Sequence, residues 1–383
     1  MLLAVLFSSL LSSLMVGILL IRTRHLHAKL SMDHDLGGVQ KFHAKPTPRI
    51  GGLPMLGGLL TGGMVLMWSP QAEHALFWGV LLAGVPVFMA GLLEDLTKKV
   101  SPLIRLLAAF VSATIALFSV NAVLRGVGIA GVDHLLAAMP VLAMMLTVFA
   151  VGGVCHAINI IDGYNGLMGG VVLFVSLALA YVSLAVGDMP LLVVSLALSG
   201  SVMGFLVWNF PRGIIFAGDA GAYLLGFLLA ELAVLLVARH PGVVSPWFPL
   251  LLLIYPVFET LFSIWRKKVV RKMSPGLPDG LHFHMLVYKR LVRWMVGSKD
   301  AKHLTRRNSL TAPYLWGVAL FSIMPALLFW RVEWALQLCT SLFVAGYVWA
   351  YRRLVTFRAP RVLVLRKARS AIKPVMVKHN KAA

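Results

Sequence analysis

The sequence predicts an all-α polytopic membrane protein, and three observations carry that prediction. Of 383 residues, 59% are hydrophobic and only 13% charged, whereas soluble domains carry about a quarter charged residues. The apolar residues are gathered into eleven runs of span length. The basic residues fall almost entirely into alternate connections between those runs. This composition excludes a secreted disulfide scaffold, a disordered regulator and a soluble nucleic-acid binder. Cys155 and Cys339 sit in apolar runs without metal spacing and read as packing residues.

A helix rising ~1.5 Å per residue needs ~20 apolar residues to cross ~30 Å of hydrocarbon. The candidate spans are 1–21, 50–68, 75–93, 103–120, 138–157, 166–186, 190–207, 221–238, 247–265, 310–330 and 334–351. The first lacks a basic leading region and a cleavage site, and Arg22 and Arg24 follow it, so it reads as a retained span. With the N-terminus outside, 32 of the 35 lysines and arginines face inward, leaving only Arg125, Arg239 and Arg331 outside. That asymmetry places the C-terminus in the cytoplasm. The net charge of +21 therefore belongs to a membrane surface rather than to nucleic acid. Residues 1–351 read as a single transmembrane domain with cytoplasmic loops at 22–49, 94–105, 157–166, 208–220 and 266–309. The basic tail, 352–383, is expected on anionic lipid headgroups.

Only 14 acids are present, and six lie in apolar sequence or at its inner edge: Glu94, Asp95, Asp162, Asp219, Glu231 and Glu259. A charge at mid-bilayer costs ~2.5–3.5 kcal/mol, so such groups are usually paired or functional. In GLLEDLTKKVSPLIR, a helix would put Lys98 and Lys99 on the face of Glu94 and Asp95. That mixture suits a metal–phosphate group, though taken alone it reads first as a snorkelling, salt-bridged helix end. In HAINIIDGYNGLMGG, Asn159, Asp162 and Asn165 recur every three residues and would form one helical polar stripe. The surrounding glycines fit either close helix packing or a cavity wall. Packing leaves Asp162 between two asparagines unexplained.

In WNFPRGIIFAGDAGAYLLGF, Asp219 lies between Gly218 and Gly221 ahead of an apolar span. It reads either as a helix N-cap or as a Mg²⁺ ligand at an anion-binding helix end. In GLPDGLHFHMLVYKR, His282 and His284 share one side of an extended segment and suit phosphate or metal, though surface histidines near basic residues are common. In KFHAKPTPRIGG, His43, Lys45 and Arg49 precede two glycines. They read as phosphate contacts or as a simple positive-inside flank.

These five signals, in this order and on one membrane face, resemble the polyprenyl-phosphate N-acetylhexosamine-1-phosphate transferases, the MraY/WecA superfamily. The resemblance covers about Lys41 to Arg290. NIIDGYNGLMGG and FAGDAGAYLLGF carry it, with KPTPRIGG in support, and eleven spans place it nearer the WecA-like branch. It implies a Mg²⁺-dependent enzyme of the bacterial inner membrane, with Mn²⁺ as the substitute ion. An undecaprenyl-phosphate oxygen would attack a UDP-N-acetylhexosamine on the cytoplasmic face and release UMP, feeding lipopolysaccharide, O-antigen or another envelope polysaccharide.

The resemblance also implies roles. Asp219 would hold Mg²⁺ with Asp162. Asp95 would deprotonate or position the lipid phosphate beside Glu94, and Asp162 would take part in catalysis. Asn159, Asn165, Lys45, Lys98, Arg105, His282 and His284 would bind substrate. A homodimer is left open. Four departures stand against the family pattern: Glu94 in a usual Asp-Asp pair, Asn165 for an Asp, Met285 for a His, and Glu259 where Asp is common. The alternatives are a UDP-MurNAc-pentapeptide phosphotransferase, a non-catalytic relative, or a transporter. Transporter sites lie near the midplane, whereas these acids lie at one edge.

Overall fold

The computed structural model describes residues 1–33, 46–68, 73–274, 279–294, 296, 300–359 and 361–367. The first apolar run is one helix, α1 (Leu2–Arg22), followed by a short α2 (Arg24–Ser31). Strand β1 (Met32–Asp33) then pairs antiparallel with β2 (Thr47–Pro48), Met32 opposite Pro48. Helix α3 (Gly52–Leu66) leads to α4 (Glu73–Ala83) and α5 (Val85–Thr97). The last two meet at a 42° bend, where Pro86 supplies no backbone N–H at the start of α5.

Four helices follow: α6 (Pro102–Ser119), α7 (Ala130–Ala138), α8 (Pro140–Ile160) and α9 (Leu167–Ala185). The chain continues through α10 (Met189–Asn209) and α11 (Gly218–Arg239). Helices α12 (Trp247–Leu252) and α13 (Ile254–Trp265) are separated at Leu253. A π-helical turn, Arg266–Val270, precedes α14 (Phe283–Arg290), β3 (Val292–Trp294) and α15 (Ala301–Ser309). The described chain ends with α16 (Thr311–Phe329), α17 (Glu333–Val355) and β4 (Leu365–Lys367), which runs parallel to β3.

Every expected span is helical, but the helices differ in how well they suit a bilayer. Seven are long and apolar enough to cross one, or eight if α4 and α5 count as a single bent span. The seven are α1, α6, α8, α9, α10, α11 and the run Ala301–Phe329. Helix α3 has 15 residues and reaches only ~22 Å. The run 247–265 is broken into α12 and α13, and α17 carries Glu333, Arg352 and Arg353 at its ends.

Helix α11 is the axis of the fold. Its most apolar stretch is entirely buried, and α3, α5, α6, α8, α9 and α10 pack around it. A helix apolar on every face has no favourable orientation except inside a bundle. Contact with α5 is unusually close, because a Cβ on Gly91 would lie 2.5 Å from Ala220 N. That glycine brings α5 against the start of α11 one turn before Asp95. Glu231, in the middle of α11, is fully buried, and no described residue hydrogen-bonds its carboxylate.

The other end of α11, 22 residues away, is locked by a buried acid. Asp188 caps α10 by accepting from Leu191 N at 3.2 Å. Its carboxylate also accepts from Arg239 Nε at 2.7 Å and pairs with His240 Nε2 at 2.9 Å. Burial pushes the Asp188 carboxyl up, but the Arg239 and His240 hydrogen bonds and the Leu191 N–H outweigh it and hold it below the ordinary value. A depressed native value stabilises the fold above the unfolded value of ~3.9 and loses that contribution as pH falls through the native value. Asp188→Asn is therefore expected to lower the thermal midpoint in detergent at pH 7. The gap from wild type should close progressively below about pH 4. A gap independent of pH would show that the charge contributes nothing.

Candidate active site

The segment before α3 is laid along the segment before α11. Phe216 N donates to Pro48 O at 2.9 Å, Gly51 N to Phe216 O at 2.8 Å and Gly52 N to Ala217 O at 2.9 Å. This ladder carries Arg49 to the N-terminus of α11. There Gly218 adopts φ +71°, and a Cβ on it would collide with Arg49 O and both carboxylate oxygens of Asp95. Only glycine fits that turn.

The cap of α11 comes from another helix. Asp95, fully buried on α5, accepts from Asp219 N at 2.8 Å and from Ala220 N at 2.9 Å. An anion at a helix N-terminus satisfies orphan donors and opposes the helix dipole. Asp219 is thus not the N-cap but a first-turn residue, and its carboxylate is free to gather polar groups. Arg105 Nη1 pairs with its Oδ2. Asn159 Nδ2 donates to Oδ1 at 3.0 Å, and Arg49 Nη2 lies 3.6 Å from Oδ1 and 3.8 Å from Asp95 Oδ1. Four of the sequence-predicted or motif residues from four separated segments therefore meet around Asp219.

The expected helical stripe of Asn159, Asp162 and Asn165 does not form. Helix α8 ends at Ile160, and turns occupy 161–166. Asn159, on the last turn of α8, reaches Asp219. Asp162 is half-buried, and no described residue hydrogen-bonds its carboxylate. Burial pushes its carboxyl up to about 7, with the Arg49 guanidinium opposing. Asn165 is instead a structural joint: its N–H donates to Asn308 Oδ1 at 2.8 Å and its Nδ2 to Pro211 O at 3.2 Å.

The expected shared face of Glu94, Asp95, Lys98 and Lys99 also fails, because α5 stops at Thr97 and Lys98 is left-handed at φ 56°. Glu94 Oε2 accepts from Val100 N at 2.7 Å, closing the turn. Lys98 is exposed, and its Nζ lies 3.5 Å from Met32 O. Lys45 and His43 lie outside the described residues.

A second cluster stands beside the first. His282 precedes α14 and His284 lies in its first turn, so they do not form the extended pair expected; their rings are nonetheless stacked at 5.2 Å. Glu259 on α13 organises them. Its Oε1 lies 3.1 Å from His282 Nδ1 and 3.8 Å from His284 Nδ1, and accepts from Phe283 N at 2.9 Å. Tyr347 donates to Oε2 at 2.7 Å. Burial pushes His284 down to about 4 despite Glu259, keeping its ring neutral. These three side chains bring metal-ligand atoms within 4.8 Å of one another. Arg266 holds the approach, donating to Leu281 O at 2.7 Å and to Asp279 Oδ2 at 2.5 Å.

The loop 161–166 joins the two clusters. Tyr164 meets His284 edge-on at 5.8 Å, and a Cβ on Gly163 would lie 3.7 Å from His284 Nε2. Sequence reasoning left Arg49 open between a phosphate contact and a charged flank, and gave Glu259, one of the six acids in apolar sequence, no role. It missed His156 and Tyr223, whose ring nitrogen Nδ1 and hydroxyl lie 2.9 Å apart. The i, i+4 spacing of Asp219 and Tyr223 was the available signal.

Asp219 and Asp162 offer the carboxylate oxygens that Mg²⁺ favours, and the Asp162 carboxylate, with no hydrogen-bond partner among the described residues, would suit such a role. Glu259 tests the histidine cluster. Glu259→Ala strands His282, Phe283 N–H and Tyr347 in the interior and should cost about 3 kcal/mol. Tyr347→Phe removes one hydrogen bond and should cost about 1 kcal/mol. Thermal unfolding in detergent reads the order, and equal losses would show that Glu259 is not the organising group.

Comparison with known proteins gives the same region. The family model of glycosyl transferase family 4 matches residues 77–237, which contain Asp95, Arg105, Asn159, Asp162 and Asp219. An undecaprenyl-phosphate alpha-N-acetylglucosaminyl 1-phosphate transferase of Thermotoga maritima is 31% identical over 268 residues, 70% of this chain and 77% of the relative. A probable undecaprenyl-phosphate N-acetylglucosaminyl 1-phosphate transferase of Bacillus subtilis is 29% identical, over 64% of this chain and 66% of its own length. A phospho-N-acetylmuramoyl-pentapeptide-transferase of Synechococcus is 34% identical, over 61% and 67%. With its acids gathered at the α11 N-terminus and relatives of this kind along most of its length, the chain belongs to glycosyl transferase family 4, within the MraY/WecA superfamily.

Proposed function

We propose that this protein transfers an N-acetylhexosamine-1-phosphate group, with UDP-GlcNAc the first candidate donor, to undecaprenyl phosphate and releases UMP. The observation that carries the reading is the convergence of Arg49, Arg105, Asn159 and the capped α11 N-terminus on Asp219. The names of the Thermotoga and Bacillus relatives support both donor and acceptor. The Synechococcus relative keeps UDP-MurNAc-pentapeptide as the second donor.

The chemistry follows from the charges. A phosphate oxygen of the acceptor attacks the β-phosphorus of the UDP-sugar, and the bond to the bridging oxygen breaks, so that UMP leaves with that oxygen. Phosphoryl transfer needs positioning and charge neutralisation more than covalent help from the protein. Arg49 and Arg105 each have guanidinium groups within reach of Asp219 and would turn to the phosphates. Asp95 acts by positioning, a role supported by both its oxygens being held by backbone N–H groups. Asn159 orients Asp219. Asp219 and Asp162 would hold Mg²⁺, which when bound neutralises diphosphate charge. In this reading Lys45 and Lys98 would meet the nucleotide phosphates, and His282 and His284, buried against Glu259, would contribute from the second cluster.

The same reading places the protein in the bacterial inner membrane with eleven spans, N-terminus outside and active site on the cytoplasmic face, supported by the 32-to-3 split of basic residues. The basic tail rests on anionic lipid. The product would enter envelope polysaccharide synthesis, lipopolysaccharide O-antigen among the candidates.

The test is UMP release by purified protein with undecaprenyl phosphate, Mg²⁺ and a panel of UDP-sugars. Release should require lipid and metal, and chelation should abolish it. Asp219→Asn, and separately Asp95→Asn, should lower kcat about a hundredfold or more, the scale set by loss of a preorganised electrostatic group. Silence across the panel from folded protein, or release indifferent to Asp219, would overturn the proposal.

A further inference from the structure

One polar pair beneath Asp219 has no part in the chemistry above. On α11, Tyr223 lies four residues beyond Asp219, on the same face and ~6 Å further from the helix N-terminus. On α8, His156 precedes Asn159 by three residues, again on the same face. The Tyr223 hydroxyl and His156 Nδ1 are 2.9 Å apart, and the rings meet edge-on at 5.2 Å. Two layers therefore stack between α8 and α11: Asn159 with Asp219, then His156 with Tyr223.

Arg105 spans both layers. Its Nη1 pairs with Asp219, and its guanidinium carbon lies 5.6 Å from the Tyr223 ring centroid. The Arg105 Nε is buried without a hydrogen-bond partner among the described residues. Placing an imidazole, a phenol hydroxyl and an incompletely satisfied guanidinium at one level of an apolar bundle costs free energy. Packing alone would be better served by apolar side chains. His156 is half-buried, so the layer is open on one side.

This inference rests on the transferase reading. The nucleotide would reach Asp219 from water, whereas a polyprenyl chain stays in the membrane, where each buried CH₂ contributes ~0.8 kcal/mol. The acceptor phosphate must then arrive at the level deeper than Asp219. We infer that His156, Tyr223 and Arg105 form the binding site for the phosphomonoester of the lipid acceptor. Tyr223 donates its hydroxyl proton to His156 Nδ1, which leaves Nε2–H to donate to a phosphate oxygen. Nε2 lies 3.4 Å from the same hydroxyl and has no other described partner.

The experiment uses the full chain in nanodiscs, titrated with undecaprenyl phosphate, with undecaprenol as the phosphate-free control and with UDP-GlcNAc. His156→Ala should weaken undecaprenyl phosphate binding about tenfold and leave undecaprenol and UDP-GlcNAc within twofold. His156→Gln, which keeps an N–H donor, should stay within threefold of wild type, and Tyr223→Phe should weaken phosphate-lipid binding less than His156→Ala. Equal weakening for all three ligands would reduce the pair to packing. Unchanged binding, or equal loss for undecaprenol, would also overturn the inference. Wild-type silence in UMP release would count against the transferase reading alone, since these titrations need no turnover.

Discussion

The two hydrogen bonds from the first turn of α11 to Asp95 set the geometry of everything around them. A fully buried carboxylate is costly unless donors surround it, and a helix N-terminus supplies donors already aligned. The cap demands that α5 approach α11 to backbone contact, which Gly91 permits, and that the turn before α11 be left-handed, which Gly218 permits. With Asp95 occupied by the backbone, the Asp219 carboxylate faces outward. Two arginines and Asn159 then converge on it, since a second acid so close to the first needs compensating charge.

The histidine cluster obeys the same rule with a different solution. Glu259 has accepted from a backbone N–H and a tyrosine hydroxyl, and faces two histidines, so its charge is shared among buried partners rather than exposed. The loop 161–166 touches the histidine cluster through Tyr164 and Gly163, and it begins two residues after Asn159, which holds Asp219.

The departures from the family pattern acquire local reasons. Asn165 donates from Nδ2 to Pro211 O while its backbone N–H meets Asn308; an aspartate there could not donate to that carbonyl. Met285 is buried within α14, next to His284 in the chain. Glu94 reaches Val100 N across six residues, a span that suits its longer side chain. None of these residues leaves an unmatched group in the first cluster.

Periodicity and composition were enough for the helical class and for the position of each apolar run, because a run long enough to bury itself in lipid is a local property of the chain. The charge split and the acids beside glycines likewise marked one end of the bundle. What the chain could not reveal alone was where helices stop. The i, i+3 stripe through Asn159, Asp162 and Asn165 presumed a helix that ends at Ile160, and Lys98 turned away for the same reason at the end of α5. Nor could it show that Asp95, Asp219, Arg105 and Asn159 meet, or that Arg49 and Glu259 organise their neighbours. Those relations join residues more than a hundred positions apart in some cases, and only the packing of α5, α6 and α8 around a wholly buried α11 brings them within hydrogen-bond reach.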